Sequence, residues 1–288
     1  MAADLGEAEG FEVVGDGPAL RGESFGTGRD LIFCHGLSAT RRYVVHGSKL
    51  LPRRGYRLHT YDARGHGESD PAGTGEGYGY VELVTDLARV SAERCAAGPV
   101  IAGGHSMGCH TAAAWALAEP DAVEALVLIG PVYTGEESEA DLSRWDERAD
   151  ALDTGGPEAF GRAAAAGLEA NPEIHATVER LARERSELHR HPEAVAEALR
   201  QVPRSRPFDS IERLRELELP TLVVASRDEA DPGHPYAVAE RYADCLSQAE
   251  LISEEPGESP LSWQGGRLSR EIDDFLKRHG LGARGTDG

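Results

Sequence analysis

The sequence predicts an α/β protein with a mostly parallel sheet and helices on both of its faces. Short apolar runs alternate with longer helical patterns over most of the chain, which is typical of repeated strand–helix units. The runs themselves are almost continuously apolar, as expected for strands that are covered on both faces. The 288 residues are 40% hydrophobic and 28% charged, which is an ordinary globular composition.

The elements follow from local patterns taken in chain order. A Gly-Asp-Gly-Pro turn at residues 15–18 joins two segments, Phe11–Val14 and Ala19–Glu23, that predict an N-terminal hairpin. Later apolar runs predict strands at 31–34, 57–61, 100–102, 125–129, 221–225 and 249–253. Helical spacing and composition predict helices at 43–51, 81–97, 107–118, 236–246 and 261–279.

The central segment, residues 132–219, has a different character. Its strand-like runs disappear, and Ala-, Arg- and acid-rich helical stretches take their place between Gly and Pro breaks. We therefore predict a core formed by residues 1–131 and 220–288, with 132–219 inserted as a helical cap that covers the strand ends as a lid. The histidines of this segment lie among charged residues and are predicted to be at the surface: His175, His189 and His191.

Charge and cysteine content exclude several classes of partner. The formal net charge of −20 argues against binding to nucleic acid or to an anionic membrane, because phosphate recognition needs an excess of Lys and Arg. No signal peptide or membrane-spanning apolar run is predicted. The four cysteines have no disulfide or metal-ligand spacing, so we expect reduced thiols, a cytoplasmic protein, no metal and no cofactor. A small molecule remains as the expected partner.

The strongest chemical motif is Gly-x-Ser-x-Gly, formed by Gly104, Ser106 and Gly108 between a predicted strand and a predicted helix. The flanking glycines permit a sharp, strained turn that projects the serine hydroxyl above the end of the strand. The N-terminus of the following helix points its N–H groups at the same place, where a negatively charged oxygen would be stabilised. This context predicts a nucleophilic serine.

Two further loops lie at predicted strand ends. One is His35-Gly36-Leu37-Ser38, and the other is the segment Asp62–Ser69, with the sequence Asp-Ala-Arg-Gly-His-Gly-Glu-Ser. The second loop contains several charged residues, but its glycines and its Asp and Arg side chains predict a tight, hydrogen-bonded structural loop. In a parallel sheet, sites lie at the carboxyl ends of strands, where both loops fall.

Together these motifs resemble the α/β-hydrolase superfamily, in its lidded esterase, lipase and haloperoxidase-like branch. The resemblance covers nearly the whole chain and implies an eight-stranded, mostly parallel sheet. It implies that Ser106 is the nucleophile and that Asp228, which follows the penultimate strand, is the acid of the catalytic triad; Asp231 is the neighbouring alternative.

The same resemblance assigns the supporting groups of the site. The backbone N–H groups of Leu37 and Met107 would form the oxyanion hole. His35, Gly36 and His105 would support the site from the two motifs, with the His105 side chain pointing away from the nucleophile.

The chain departs from the family where a histidine is expected after the last strand. The family pattern there resembles Gly-His-Ser-Pro, whereas this chain has glutamate, Glu258, at the histidine position. His279 lies at the end of the last helix, and His234 belongs to the loop after Asp228, so neither matches the pattern. We therefore expect Glu258 to lie beside Asp228 and Ser106, where two carboxylates could share a proton.

Three functions are consistent with this site. The first is a serine hydrolase for an ester, thioester or lactone, with hydrolysis weakened by the loss of the imidazole base. The second is a lyase, isomerase or cyclase that binds a carbonyl and moves protons. The third is a ligand-binding protein that has lost the chemistry. The fold does not choose among them, and the substrate and the oligomeric state stay open.

Overall fold

The computed structural model describes residues 8–73, 77–135, 138–166, 172–227, 231 and 233–283. These residues form one eight-stranded sheet in the order β1-β2-β4-β3-β5-β6-β7-β8. The strands are β1 Glu9–Gly15, β2 Gly17–Phe25, β3 Arg29–Cys34, β4 Tyr56–Tyr61, β5 Val100–His105, β6 Val123–Ile129, β7 Thr221–Val224 and β8 Ala249–Ile252.

The sheet is mostly parallel, which confirms the predicted fold class. Strands β3 to β8 all run in the same direction, and β2 pairs antiparallel with both of its neighbours, β1 and β4. Strand β5 lies between β3 and β6, so the end of the strand that carries the Gly-x-Ser-x-Gly motif is central. Cys34 is opposite Gly104 and Ile129 is opposite His105 in the register. The carboxyl ends of these strands therefore meet around the serine.

Helices cover both faces of the sheet. They are α1 Leu50–Arg53, α2 Tyr80–Arg94, α3 Met107–Ala118, α4 Glu139–Ala165, α5 Pro172–Ser186, α6 Pro192–Gln201, α7 Tyr236–Cys245 and α8 Gly265–Arg278. Helix α3 is buried over nearly its whole length, and its alanines let it lie close to the sheet. Helix α8 is amphipathic and buries Leu268, Ile272, Phe275 and Leu276 against the other face.

One predicted helix is wrong. The segment 43–51 forms a single 3₁₀ turn at Arg41–Tyr43 and then the short helix α1. His46 and Gly47 have φ angles of 47° and 69°. Two consecutive residues in the left-handed region end a right-handed helix, so the apolar spacing across this segment does not produce one.

Three helices, α4, α5 and α6, lie between β6 and β7, within the segment where the sequence predicts the cap; we call them the inserted helices. Helix α4 is kinked at Gly156, which has a φ of 61° and directly precedes Pro157. Helix α6 packs on the core through Ala194 and Ala198, which share a buried apolar cluster with Met107 of helix α3. The inserted helices are thereby anchored directly above the start of α3.

The Asp62–Ser69 loop is held as the sequence predicts. Asp62 is completely buried and accepts hydrogen bonds from the backbone N–H groups of Arg41 (2.8 Å) and Glu68 (3.0 Å) and from the Arg41 guanidinium. Arg64 donates two hydrogen bonds to the buried carboxylate of Asp86, at 2.7 and 2.9 Å. These paired charges make the loop a structural feature of the fold.

The structure also bears on membrane-spanning helices and on the state of the cysteines. Within the described ranges, no helix combines the length and apolar character that crossing a membrane would require. All four cysteines are free thiols, and burial raises the pKa of the Cys34 thiol to about 12.

Candidate active site

Ser106 occupies a strained turn between β5 and α3. Its backbone has φ 51° and ψ −117°, a left-handed conformation that is rare for a residue with a side chain. The turn is held by a hydrogen bond of 2.8 Å from the Ser106 N–H to the carbonyl of Ile129 on β6. The Ser106 hydroxyl does not cap α3 and has no hydrogen-bond partner among the described residues. The Ser106 hydroxyl therefore makes no hydrogen bond that stabilises the described part of the fold.

The glycines of the motif are required by close packing against β3. A Cβ atom on Gly104 would lie 2.4 Å from the carbonyl oxygen of Cys34, and one on Gly108 would lie 2.2 Å from the same oxygen. No side chain can be accommodated at such distances without moving the backbone. The spacing that the sequence shows is thus imposed by the approach of β5 and α3 to a single carbonyl group.

The His-Gly loop forms the second wall of the site. His35 is buried; it donates from Nδ1 to the carbonyl of Gly36 (2.8 Å), and its Nε2 accepts from the N–H of Ala63 (2.9 Å). Burial lowers the pKa of His35, so the ring is neutral and both nitrogens serve to hold the loop. A Cβ on Gly36 would lie 3.4 Å from the Cβ of Ser106, which shows how closely this loop approaches the serine.

The two expected oxyanion donors flank this contact. Leu37 follows Gly36, and Met107 is the first residue of α3. Within the described ranges, neither backbone N–H donates to a protein acceptor. Both groups are therefore open to a ligand at the site that the sequence predicts.

His189 is buried, so the prediction of a surface position is wrong. It lies in the turn between α5 and α6, with 8% of its surface exposed. Its Nδ1 accepts a hydrogen bond of 2.9 Å from the N–H of Gly67, and its Nε2 donates one of 3.1 Å to the carbonyl of Ser38. Ser38 has a φ of 61° in the His-Gly loop. The inserted helices thus fix the loop that carries Leu37.

A cavity of about 190 Å³ lies between the core and the inserted helices. Its core side is formed by Ser38, His105, Asp231, His234 and Trp263. The inserted helices contribute mainly apolar and cationic side chains, among them Trp145, Arg148, Phe160, Val178, Leu181 and Arg185. The cavity lies next to the turn at Ser106, because His105, the residue directly before Ser106, lines it.

His105, Asp231 and His234 form a cluster at the floor of this cavity. His234 Nδ1 donates a hydrogen bond of 2.7 Å to Asp231 Oδ1, and the ring centroids of His105 and His234 are 4.7 Å apart. Burial alone would raise the pKa of Asp231. The charge and the hydrogen bond of His234 outweigh this effect and lower the pKa below its ordinary value, so the carboxylate stays ionised. Burial, followed by the neighbouring His234, lowers the pKa of His105 well below its ordinary value and keeps that ring neutral.

His105 is among the residues that line the cavity, and its orientation away from Ser106 stays a prediction. The partner of Asp231 was not predicted from the sequence. Asp231, ranked second as the acid, has a histidine partner three residues later, and His234 was judged unsuitable by position. The Asp-x-x-His spacing after β7 was the signal available in the sequence. Asp228, the predicted acid, lies outside the described residues.

Glu258 does not make the contact with Ser106 that the sequence predicts. Its carboxylate pairs with Arg267 of α8 at 2.5 Å and accepts from the N–H of Glu255, and its side chain is 47% exposed. The hydrogen bond from Arg267 lowers the pKa of Glu258. No hydrogen bond joins Glu258 to Ser106 in the described part of the chain. Glu258 is therefore a surface carboxylate and not a base at the cavity.

The buried acid of this loop is Glu254 instead. It is 2% exposed and accepts hydrogen bonds from the backbone N–H groups of Leu261 (2.9 Å) and Arg227. These bonds connect the segment after β8 to the end of β7. Because Glu254 takes the inward position, the loop turns Glu258 out towards α8.

Among the described residues, two groups have the donor types for a metal ion. His105, Asp231 and His234 place one donor atom each within 4.8 Å of the others, and Asp30, His59 and Cys95 do the same. In the second group, both nitrogens of His59 are engaged, with Asp30 (2.8 Å) and with Ser24 (2.8 Å). The hydrogen bond between Asp30 and His59 joins the start of β3 to β4. This group lies far from the carboxyl ends of the strands, where Ser106 is located.

Comparison with known proteins gives the family. A model of the alpha/beta hydrolase fold matches residues 31–264, so the chain belongs to the α/β-hydrolase family. The protein named "Putative carbamate hydrolase RutD" from Rhizobium rhizogenes is 31% identical over 198 residues, which cover 68% of this chain and 72% of that protein.

Solved structures share the fold at lower identity. A thermophilic esterase from Thermogutta terrifontis is 21% identical, with a TM-score of 0.75 over 95% of this chain and 99% of that chain. An enol-lactonase from Burkholderia xenovorans LB400 is 20% identical, with a TM-score of 0.70 over 90% of this chain and 97% of that one. At these identities the likeness shows the fold alone.

Proposed function

We propose that the protein is a serine hydrolase in which Ser106 attacks a small carbonyl substrate and the Asp231–His234 pair serves as the base. The observation that carries the proposal is the Ser106 hydroxyl, which projects from a strained backbone turn and has no hydrogen-bond partner among the described residues. It directly follows His105, whose ring contacts the hydrogen-bonded His234. A nucleophile needs an adjacent base that is itself oriented by a third group; in this proposal His234 is the base and Asp231 is the group that orients it.

The hydrogen bond to Asp231 determines which nitrogen of His234 can act. Because Nδ1 donates to the carboxylate, the neutral ring carries its lone pair on Nε2, which has no protein partner among the described residues. Nε2 would accept the Ser106 proton as the hydroxyl attacks the carbonyl carbon. It would then return that proton to the leaving group, and a water molecule would release the acyl group by the same route.

The negative charge that develops on the carbonyl oxygen would be stabilised by the N–H groups of Leu37 and Met107. Both belong to rigid backbone: one lies in the loop fixed by His35 and His189, and the other at the start of α3. Donors that are held in place before the reaction stabilise the transition state without a cost of reorganisation.

The substrate class follows from the cavity and from the relatives. A cavity of about 190 Å³ with apolar walls fits a small ester, thioester, lactone or carbamate. The last of these is the substrate type in the name of the Rhizobium rhizogenes relative. Attack of a serine hydroxyl on the carbonyl is the common step for all four.

Active-site labelling and mutagenesis test the proposal. We expect a fluorophosphonate probe to label the wild type and not Ser106→Ala, and p-nitrophenyl esters to be turned over only by the wild type. His234→Ala should lower kcat about 100- to 10,000-fold, the usual contribution of a general base. His279→Ala is the matched control, because that imidazole pairs with Glu250 at the end of α8.

The outcomes separate the functional classes. Retained turnover in Ser106→Ala would show that the nucleophile is wrong. Full activity in His234→Ala, with loss in Ser106→Ala, would place the base elsewhere. An unlabelled wild-type protein that still binds carbonyl ligands would support the lyase, isomerase or ligand-binding alternatives.

A further inference from the structure

Two arginines of the inserted helices line the cavity. Arg148 belongs to α4 and Arg185 to α5, and the cavity lies between them and the floor that holds Asp231. Each guanidinium lies over an aromatic ring, Arg148 over Trp145 and Arg185 over Tyr43, with 4.8 Å from its carbon to the ring centroid in both cases. Such stacking holds the cation in place without using its hydrogen-bond donors.

Neither guanidinium has an ion-pair partner among the described residues. Arg148 donates only a long hydrogen bond of 3.4 Å to the carbonyl of Ala164. The Nε atom of Arg185 is buried from solvent and has no hydrogen-bond partner in the described part of the chain. Burying a cation without a partner is costly, so structures rarely keep one unless a ligand completes the site.

Nearby arginines on the same helices behave differently. Arg144 of α4 pairs with Asp141, and Arg180 of α5 pairs with Glu184 at 3.1 Å. The chain has 50 acidic residues against 30 Lys and Arg, so carboxylates are abundant. Arg162 of α4 also lacks an ion-pair partner among the described residues, but it is exposed to solvent. The partly buried arginines of α4 and α5 without acidic partners are the two that line the cavity.

We infer that the substrate carries a carboxylate group, which Arg185 and Arg148 bind beneath the inserted helices while its carbonyl group faces Ser106. This inference rests on the proposed function, since it names the substrate class of the same site. Guanidinium groups offer several donors in one plane and match a carboxylate in both charge and geometry.

Asp231 is the acid that could compete for Arg185. It lines the same cavity, and its charge acts on Arg185, but its carboxylate takes the hydrogen bond of His234 and no ion pair joins it to the arginine. The donors of Arg185 therefore remain open. Arg185 also acts electrostatically on His105, which places the anion-binding group near the residue that precedes Ser106.

A matched pair of esters tests the inference. p-Nitrophenyl hydrogen adipate carries a free carboxylate, and p-nitrophenyl methyl adipate has the same chain with that charge removed by a methyl ester. We expect the wild type to prefer the charged ester in kcat/KM. Arg185→Met and Arg148→Met should each lower that preference, the ratio of the two kcat/KM values, about 10- to 100-fold, the range of a charged hydrogen bond.

Arg180→Met and Arg144→Met are the controls, because each removes an exposed arginine from the same helix. They should keep the wild-type preference. Thermal melting of every variant separates misfolding from loss of substrate recognition. The preference of the wild type for the charged ester tests the inference without any variant.

The result that overturns the inference is a wild type that prefers the neutral ester, or an unchanged preference in folded Arg185→Met and Arg148→Met. If Ser106→Ala abolishes turnover in that case, the proposed function survives alone. If the wild type hydrolyses neither ester, calorimetric titration with adipate decides: binding that is lost in Arg185→Met supports the carboxylate site, and no binding by the wild type refutes it.

Discussion

His189 should make the stability of the protein sensitive to acid, because its ring can be held only in the neutral form. Nδ1 accepts from the Gly67 N–H and Nε2 donates to the Ser38 carbonyl, so a proton on Nδ1 would break the first bond. Burial is the main cause that lowers the pKa of His189, from 6.5 to about 4. The neighbouring rings of His66 and His35 and the carboxylate of Asp62 are the other titratable groups that face it.

The size of the effect follows from these two pKa values. In the unfolded chain the ring binds a proton below about pH 6.5, whereas in the folded protein it resists protonation down to about pH 4. The unfolded state therefore binds more protons between these limits, and stability falls as the pH falls. Between pH 7 and pH 5 the loss is about 2 kcal/mol for this one residue, and it levels off below pH 4 at about 3 kcal/mol.

Urea unfolding at pH 7 and pH 5 measures this loss in the wild type and in His189→Asn. Asparagine can still accept from the Gly67 N–H, but it cannot titrate. We expect the variant to be less stable at pH 7 by about 1 kcal/mol, the value of the lost bond to Ser38. It should also lose about 2 kcal/mol less than the wild type on going to pH 5. His191→Asn is the control, because that ring is 29% exposed.

An equal loss of stability in the wild type and in His189→Asn between pH 7 and pH 5 would refute the reasoning. It would mean that the ring accepts a proton in the folded protein, and therefore that the Gly67 hydrogen bond does not hold the inserted helices to the core.

Two further predictions concern the Gly-x-Ser-x-Gly packing and the loop after β8. Gly108→Ala should lower the free energy of unfolding by about 1–3 kcal/mol, because the added Cβ would lie 2.2 Å from the Cys34 carbonyl. Urea unfolding measures this loss. Gly266→Ala is the control and should show no such loss, because a Cβ at that position meets nothing within 4 Å. Glu258→His should leave p-nitrophenyl ester hydrolysis within about twofold of the wild type, since the side chain at this position pairs with Arg267 at the surface. A large rise in rate would show that residue 258 does reach Ser106.

The sheet and the sharp turn at Ser106 could be predicted from the sequence because their signals are local. A run of apolar residues that is buried on both faces, such as Ala125–Ile129, reads as a strand without knowledge of its neighbours. The glycines around Ser106 lie within one turn of chain, so their spacing is visible in the sequence even though the carbonyl they approach, that of Cys34, belongs to another strand. The helix predicted at 43–51 failed for the converse reason. Backbone angles at His46 and Gly47 decide that segment, and apolar spacing does not report them.

The proposed base could not be predicted in the same way, because the environments of the side chains concerned depend on contacts between distant segments. The order of motifs predicts that residue 258 lies at the site. In the structure, Glu254 is the buried acid of that loop, and it accepts hydrogen bonds from the backbone N–H groups of Arg227, just after β7, and of Leu261. His189 was assigned to the surface from its charged neighbours in sequence, yet the turn that carries it packs on the core. In both cases a neighbour in space, not in sequence, sets the environment of the side chain.

The proposed position of the base has a structural requirement at the end of β6. Gly130 follows that strand with a φ of 58°, and a Cβ there would lie 2.9 Å from Cδ2 of His234 and 3.4 Å from Nε2 of His105. Any other residue would therefore occupy the space in which the two rings meet. Ser106 follows strand β5, the segment after β7 contains Asp231 and His234, and β6 between these strands is followed by Gly130, which leaves room for the imidazole. An imidazole from the segment after β7 can thus approach the end of β5 only because a glycine follows β6.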